Sequence, residues 1–206
     1  MSIKAELVQG FRYVWADLGL KRLILAGAFT NFFTMAIIVL LPFYVEDYLA
    51  ASIDWYGILI AVFGVGIALG SGLAGYVILK GTLRANTLIV LVIVESLAAA
   101  VLGFVSSILA AGSVGFCIGA IMGFTNVYFT SIVQRRIPSE MRGRIFGFID
   151  TIAGSTVPLG MGFGGLIFDL LDHSIPVVFG GCGAILAVFV ALIARNQAFR
   201  EFLASE

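Results

Sequence analysis

The stretch YGILIAVFGVGIALGSGLAGY, residues 56–76, decides how the rest of the chain is read. It runs 21 residues without a charge and carries six glycines. A helix needs about 20 mainly apolar residues to cross a bilayer, so this segment is long and apolar enough to span one. Its glycines fit a helix that lets neighbours approach closely in lipid.

Working outward, the same character recurs. The 206 residues are 61% hydrophobic and 12% charged, with a mean hydropathy of +1.10, whereas soluble domains are about 45–50% apolar and about 25% charged. Six segments read as spans: 23–45, 55–79, 86–106, 108–133, 144–170 and 174–194. Their links are too short for a soluble domain. The expected fold class is an all-α membrane protein of six transmembrane helices. Residues 1–22 read as a cytosolic linker and 195–206 as a cytosolic tail.

Charge sorts by side. Lys4, Arg12, Lys21 and Arg22 precede the first span, and Lys80 and Arg84 follow the second. Arg135, Arg136, Arg142 and Arg144 lie between the fourth and fifth, and Arg195 and Arg200 follow the sixth. With six spans these places share one side, and the opposite loops carry Glu46, Asp47, Asp54, Asp169 and Asp172. Lysine and arginine concentrate in cytoplasmic loops, so both termini are expected in the cytoplasm of a cell-membrane protein. The basic stretch RRIPSEMRGR (135–144) is a topology signal in contact with lipid headgroups. Zero net charge argues against a nucleic-acid partner.

The 56–76 stretch also has a partner within the chain, FGFIDTIAGSTVPLGMGFGGL, residues 146–166. At a constant offset Gly57, Gly64, Gly70, Gly72 and Gly75 fall on Gly147, Gly154, Gly160, Gly162 and Gly165. Spans one and four share Phe-Thr-Asn, at 29–31 and 124–126. Residues 23–106 and 107–194 therefore read as two three-helix copies. An odd number of spans per copy inverts the second one, as in many secondary transporters. The spacing G-x-G-x-x-G occurs in both copies, but it identifies a dinucleotide site only between a strand and a helix. Inside apolar helices it is read as packing.

The stretch VQRRIPSEMRGRIFG (133–147) resembles the loop between the tenth and eleventh helices of major facilitator superfamily transporters, closest to the branch of macrolide-efflux and enterobactin-exporter-like proteins. Residues 10–25 are similar to the approach to their seventh helix, and 40–76 to the end of that helix, the outer loop and the eighth helix. The resemblance implies a twelve-helix transporter of which these six would be the C-terminal half. It further implies proton-driven export of a small amphipathic or lipophilic compound such as a drug, macrolide or siderophore. GLAGYVILKGTLR (72–84) keeps Gly81 and Arg84 of a family motif but lacks its acidic residue near Ile78 and Leu79.

Charges inside spans are expensive and point to function. Glu95 and Asp150 are the two here, and both are proton-coupling candidates. A lone carboxyl in hydrocarbon is held neutral until water or a ligand reaches it. Asn31, Asn126, Gln134, Phe33 and Tyr128 are candidates for a substrate cavity, with Phe29, Phe32 and Phe129 as further apolar lining. Pro42 and Pro158 interrupt spans, and Pro158 beside Gly160, Gly162 and Gly165 is a candidate hinge. Gly70, Gly72 and Gly75 are their packing counterparts. Cys117, Cys182 and His173 suggest no disulfide and no metal site. No cofactor is expected, and no catalytic pair or HExxH motif suggests an enzyme. Expected partners are membrane lipid, a small-molecule substrate, and either an N-terminal six-helix half or a second copy. The competing expectation is a non-transporting six-helix subunit or a remnant that needs a partner half.

Overall fold

The computed structural model describes residues 11–205. Six long helices form a bundle: α1 Leu18–Ile38, α2 Asp54–Tyr76, α3 Gly81–Leu102, α4 Ile108–Arg136, α5 Arg142–Leu170 and α6 Ile175–Ile193. A seventh, α7 Gln197–Ala204, follows at once. All six long helices are apolar enough to span a bilayer, and helices suit lipid because they satisfy their own backbone groups. The chain is thus an all-α integral membrane protein.

Local chemistry sets the ends. Asp17 caps α1, accepting hydrogen bonds from the Gly19 and Leu20 amides at 2.9 and 3.0 Å. Gly81 opens α3 at φ +53°, a conformation that disfavours any side chain. The first span breaks at Val39 and Leu40, just before Pro42, and resumes as a turn, Leu41–Phe43, and a π-helical segment, Tyr44–Tyr48. Pro42 therefore interrupts this span as expected. Pro158 behaves differently: α5 runs unbroken through it from 142 to 170.

The most extensive helix pairs are α2 with α4, α1 with α5, and α3 with α6. A twofold that exchanges α1 with α4, α2 with α5 and α3 with α6 maps this set onto itself. Glycines set the approach. A Cβ on Gly70 would lie 1.9 Å from the Ala120 carbonyl oxygen, and one on Gly123 would lie 2.1 Å from that of Ile67. Between α1 and α5, Gly160 meets the Phe32 oxygen and Gly164 that of Ala36, at 2.3 and 2.4 Å. Between α3 and α6, Gly183 meets the Ser96 oxygen at 2.5 Å.

These contacts fix the register between the copies. Ninety positions carry Gly70 to Gly160, and 88 positions back carry its partner Ala120 to Phe32. The same steps carry the close approach of Gly119 to the Phe63 carbonyl onto Asn31 and Ala153. Asn31 is therefore the counterpart of Gly119. Asn126 falls opposite Ile38, two turns from the match suggested by the shared tripeptide. Steric contact between backbones, and not the chance identity of three residues, sets this register.

The basic end of the bundle is closed by the segments flanking it. Residues 11–16 form a helical turn in which Val14 is wholly buried and Phe11 and Trp15 stack against each other and Phe148. This described part of the expected linker is packed structure. Lys4 lies outside the described residues. The expected tail is in fact α7, whose buried Phe199, Phe202 and Leu203 close over α1 and α3.

Candidate functional site

A cleft of about 350 Å³ runs through the bundle, with α1, α3, α4 and α5 as its main walls and α7 closing its basic end. Its sides are apolar: Leu88, Ile89, Val92, Phe129, Phe146 and Ile149 all line it. The polar groups are few: Thr30, Asn31, Thr34, Thr125, Asn126, Thr130 and Glu95. A second cavity of about 110 Å³ continues toward the acidic end, reaching Leu41, Tyr44, Leu102 and Ala111. The two share a wall of Thr30, Thr34, Glu95 and Met122. Glu95 thus stands at a waist between a cleft facing one end of the bundle and a cavity facing the other.

The geometry around Glu95 follows from the sequence of α3. Fourteen residues beyond its Gly81 start, Glu95 lies near mid-helix. Ser96, next in the chain, is buried and donates to the Val92 carbonyl at 2.8 Å, and Gly183 of α6 packs against its backbone. That contact seats one face of α3 on α6. Val90, Val94, Leu97 and Val101 remain exposed on the outside, where lipid suits them. Glu95 is half-buried. Its carboxyl has no hydrogen bond or ion pair among the described residues. Among the described residues every fully enclosed side-chain nitrogen or oxygen does have a partner, so the Glu95 oxygens open into the cavities.

The other candidates separate. Asn31 lines the cleft, but its amide is committed: it donates to the Ala153 carbonyl at 3.0 Å and to the Thr156 hydroxyl at 2.7 Å. It bridges α1 and α5. Asn126 lines the cleft as an exposed residue, and its carbonyl accepts from Thr130 at 3.4 Å. Phe129 lines the cleft as well. Phe33 does not: it is buried in an aromatic cluster with Phe29, Phe32 and Phe163. Tyr128 does not either. Its hydroxyl donates to the Val77 carbonyl and accepts from the Leu79 amide, closing the end of α2. Gln134 is exposed outside the cleft lining. Residue type suits Phe33, Tyr128 and Gln134 to a cavity, but helix rotation turns them elsewhere.

Asp150 also lies outside the cleft. It is exposed on α5 together with Thr151, Gly154, Ser155 and Pro158, a small and polar face unlike the valine-rich outer face of α3. Gly147, Gly154, Gly162 and Gly165 have open space where a side chain would stand, as do Gly57, Gly64, Gly72 and Gly75 of α2. Only one glycine of each repeated set, Gly70 or Gly160, meets a neighbour within the bundle.

The basic loop is partly occupied by α7. Arg84, 5% exposed, donates to the carbonyls of Leu203 and Ser205. Arg136 lies 3.6 Å from Asp17, bonds the Ser205 hydroxyl and stands over the Phe202 ring. Arg135 and Arg142 are exposed, and Arg144 is half-buried. At eight residues, two of them charged, α7 is too short and polar to stand out as a span. Its signals are Asn196 as N-cap, with the side chain accepting from the Phe199 amide, and Phe199, Phe202 and Leu203 on one face. Among the described residues no group of His, Cys, Asp and Glu has the makings of a metal site.

Comparison with known proteins fits this architecture. The Major Facilitator Superfamily description matches residues 23–201, and the chain belongs to that superfamily. It is 30% identical over 83 residues to the uncharacterized MFS-type transporter YfiS of Bacillus subtilis (strain 168). The match spans 40% of this chain and 20% of that protein. No solved structure matches.

Proposed function

We propose that the chain is the C-terminal half of a proton-coupled secondary transporter that exports a small amphipathic or lipophilic compound. The observation that carries this reading is Glu95, a carboxyl without a partner among the described residues, at the waist between two cavities that face opposite ends of the bundle. A group that takes a proton from one side and gives it up to the other must stand where access can switch, and this is such a place. The apolar cleft walls suit a lipophilic substrate. Asp150 is the second coupling candidate, on the face of α5 where its partner would come from outside the bundle. The open glycines of α2 and the polar face of α5 are the seat of that partner, an N-terminal six-helix half or a second copy. The basic end lies in the cytoplasm, with its arginines among the lipid headgroups of the cell membrane.

Transport into inverted membrane vesicles driven by an imposed pH gradient tests the reading. Glu95→Gln and Asp150→Asn are each expected to abolish pH-driven uptake while leaving protein levels unchanged. Uptake at the parent rate by both variants overturns proton coupling through these groups.

A further inference from the structure

The closure of the basic end is built unlike the rest of the bundle. The long helices meet backbone to backbone, but α7 is held by three apolar side chains and a few polar contacts. Phe202 sits in a pit on α1: a Cβ on Gly19 would lie 2.5 Å from its ring, so a larger residue there would displace it. Phe199 and Leu203 line the cleft, in one buried cluster with Val133 of α4. These three are the buried residues of α7. A helix of eight residues does not persist alone in water, where even about 12–15 residues are marginal, so α7 keeps its shape only while seated. Residues 194–196 join it to α6, and Asn196 among them is extended, at φ −79° and ψ 120°. A few connecting residues that absorb backbone rotation are what a hinge requires.

The polar contacts converge on the far end of α7 from that hinge. Arg136, at the C-terminal end of α4, lies 3.6 Å from Asp17 and donates to the Ser205 hydroxyl at 3.2 Å. Its guanidinium stands 4.7 Å over the Phe202 ring, and its carbonyl accepts from the Tyr13 hydroxyl at 3.1 Å. Arg136 thus ties together α4, α7 and the N-terminal turn 11–16. Arg84 of α3 adds bonds to the Leu203 and Ser205 carbonyls. Asp17 and Arg136 are each about a third exposed, so water and salt compete for this pair. An element with few apolar anchors and fastenings at the water's edge opens at lower free energy than the core. We propose that α7 is a reversible lid on the basic mouth of the cleft, hinged at 194–196, with Phe202 in the Gly19 pit as its catch and Arg136 as a clasp shared with the N-terminal turn. The lid admits water and solutes from the basic side while the six long helices stay packed. It depends on the cleft and not on any coupling ion or cargo.

Thiol labelling of the purified full chain in detergent tests the lid. Cys117 is replaced by serine, and Val133→Cys reports on the cleft beneath α7. Cys182, buried in the other core cluster, reports on unfolding of the bundle. Each rate of reaction with a water-soluble maleimide is taken relative to the same thiol in the denatured chain. In this background Val133→Cys is expected to label at least ~10-fold faster than Cys182, because the lid opens more often than the bundle. Arg136→Ala and Phe202→Ala should each raise the Val133→Cys rate at least ~10-fold and leave Cys182 unchanged. Asp17→Asn keeps the helix cap but not the ion pair, and should raise that rate about 3-fold. Arg135→Ala, exposed and next in the chain, should change neither. Equal rates at the two thiols, or variants that quicken both together, mean that α7 leaves only when the bundle unfolds, and overturn the proposal. So does a Val133→Cys rate unchanged by both Arg136→Ala and Phe202→Ala. The assay involves no transport. A lid that opens on a chain that moves nothing sinks the exporter reading alone. A chain with pH-driven uptake whose two thiols label at equal rates sinks the lid alone.

Discussion

Asn31 and Gly119 occupy equivalent places in the two copies and hold helices together by opposite means. At Gly119 the absence of a side chain lets α4 approach the Phe63 carbonyl of α2. At Asn31 an amide spans the gap and bonds Ala153 and Thr156. Hydrogen bonds between membrane helices contribute about 0.6 kcal/mol each, up to about 1.7. Asn31→Ala should therefore lower the thermal stability of the purified protein modestly, while changing the cleft wall. The glycine contacts are stricter. Gly70→Val places methyl groups into the Ala120 backbone and is expected to cost about 1–3 kcal/mol, or to prevent folding. Gly72→Val, with open space around it, should melt within about 0.5 kcal/mol of the parent. Equal losses in both glycine variants would show that this register is wrong.

Among the elements, α7 is the one whose removal has the clearest consequence. It is short, with Phe199, Phe202 and Leu203 inward and arginines from α3 and α4 at its C-terminal end. Cations there complement the helix dipole and the free carbonyls. Arg84→Ala removes bonds from a charged donor to two carbonyls and should destabilise by about 1.5–3 kcal/mol. The check is a melting curve of the variant in detergent. Phe199 and Leu203 also form part of the cleft lining. Loss of α7 should therefore open the basic end to water and let a soluble maleimide reach a cysteine placed at Val133. Unchanged labelling would remove α7 from the closure. The helix of α5 carries a different lesson. Pro158 lacks an amide hydrogen and leaves the Gly154 carbonyl without its usual helical partner, yet α5 continues through it, so a hinge there needs motion between states and not a break in this one.

For the molecule as a whole, the distribution of charge and the packing of helices make separate statements that one labelling experiment joins. With Cys117 and Cys182 replaced, Ser52→Cys near the acidic end and Ser205→Cys near the basic end should react with an impermeant maleimide from opposite sides of the membrane. The expected result is labelling of Ser52→Cys in intact cells and of Ser205→Cys only after permeabilisation. The reverse pattern overturns the proposed orientation.

Six apolar runs, the segregation of lysine and arginine, and the paired glycine sets were all legible in the chain, because lipid imposes length and composition on any segment that crosses it. The cost of a charge in hydrocarbon likewise marked Glu95 and Asp150 from sequence. Tertiary structure alone decided what surrounds them. It set Glu95 between two cavities and Asp150 on an outward face. It took Phe33, Tyr128 and Gln134 out of the cleft and paired Asn31 with Gly119 instead of Asn126. The reason is geometric: composition places a residue in the membrane, but only the close contact of one helix backbone with another fixes its rotation and register, and these decide which side chains meet.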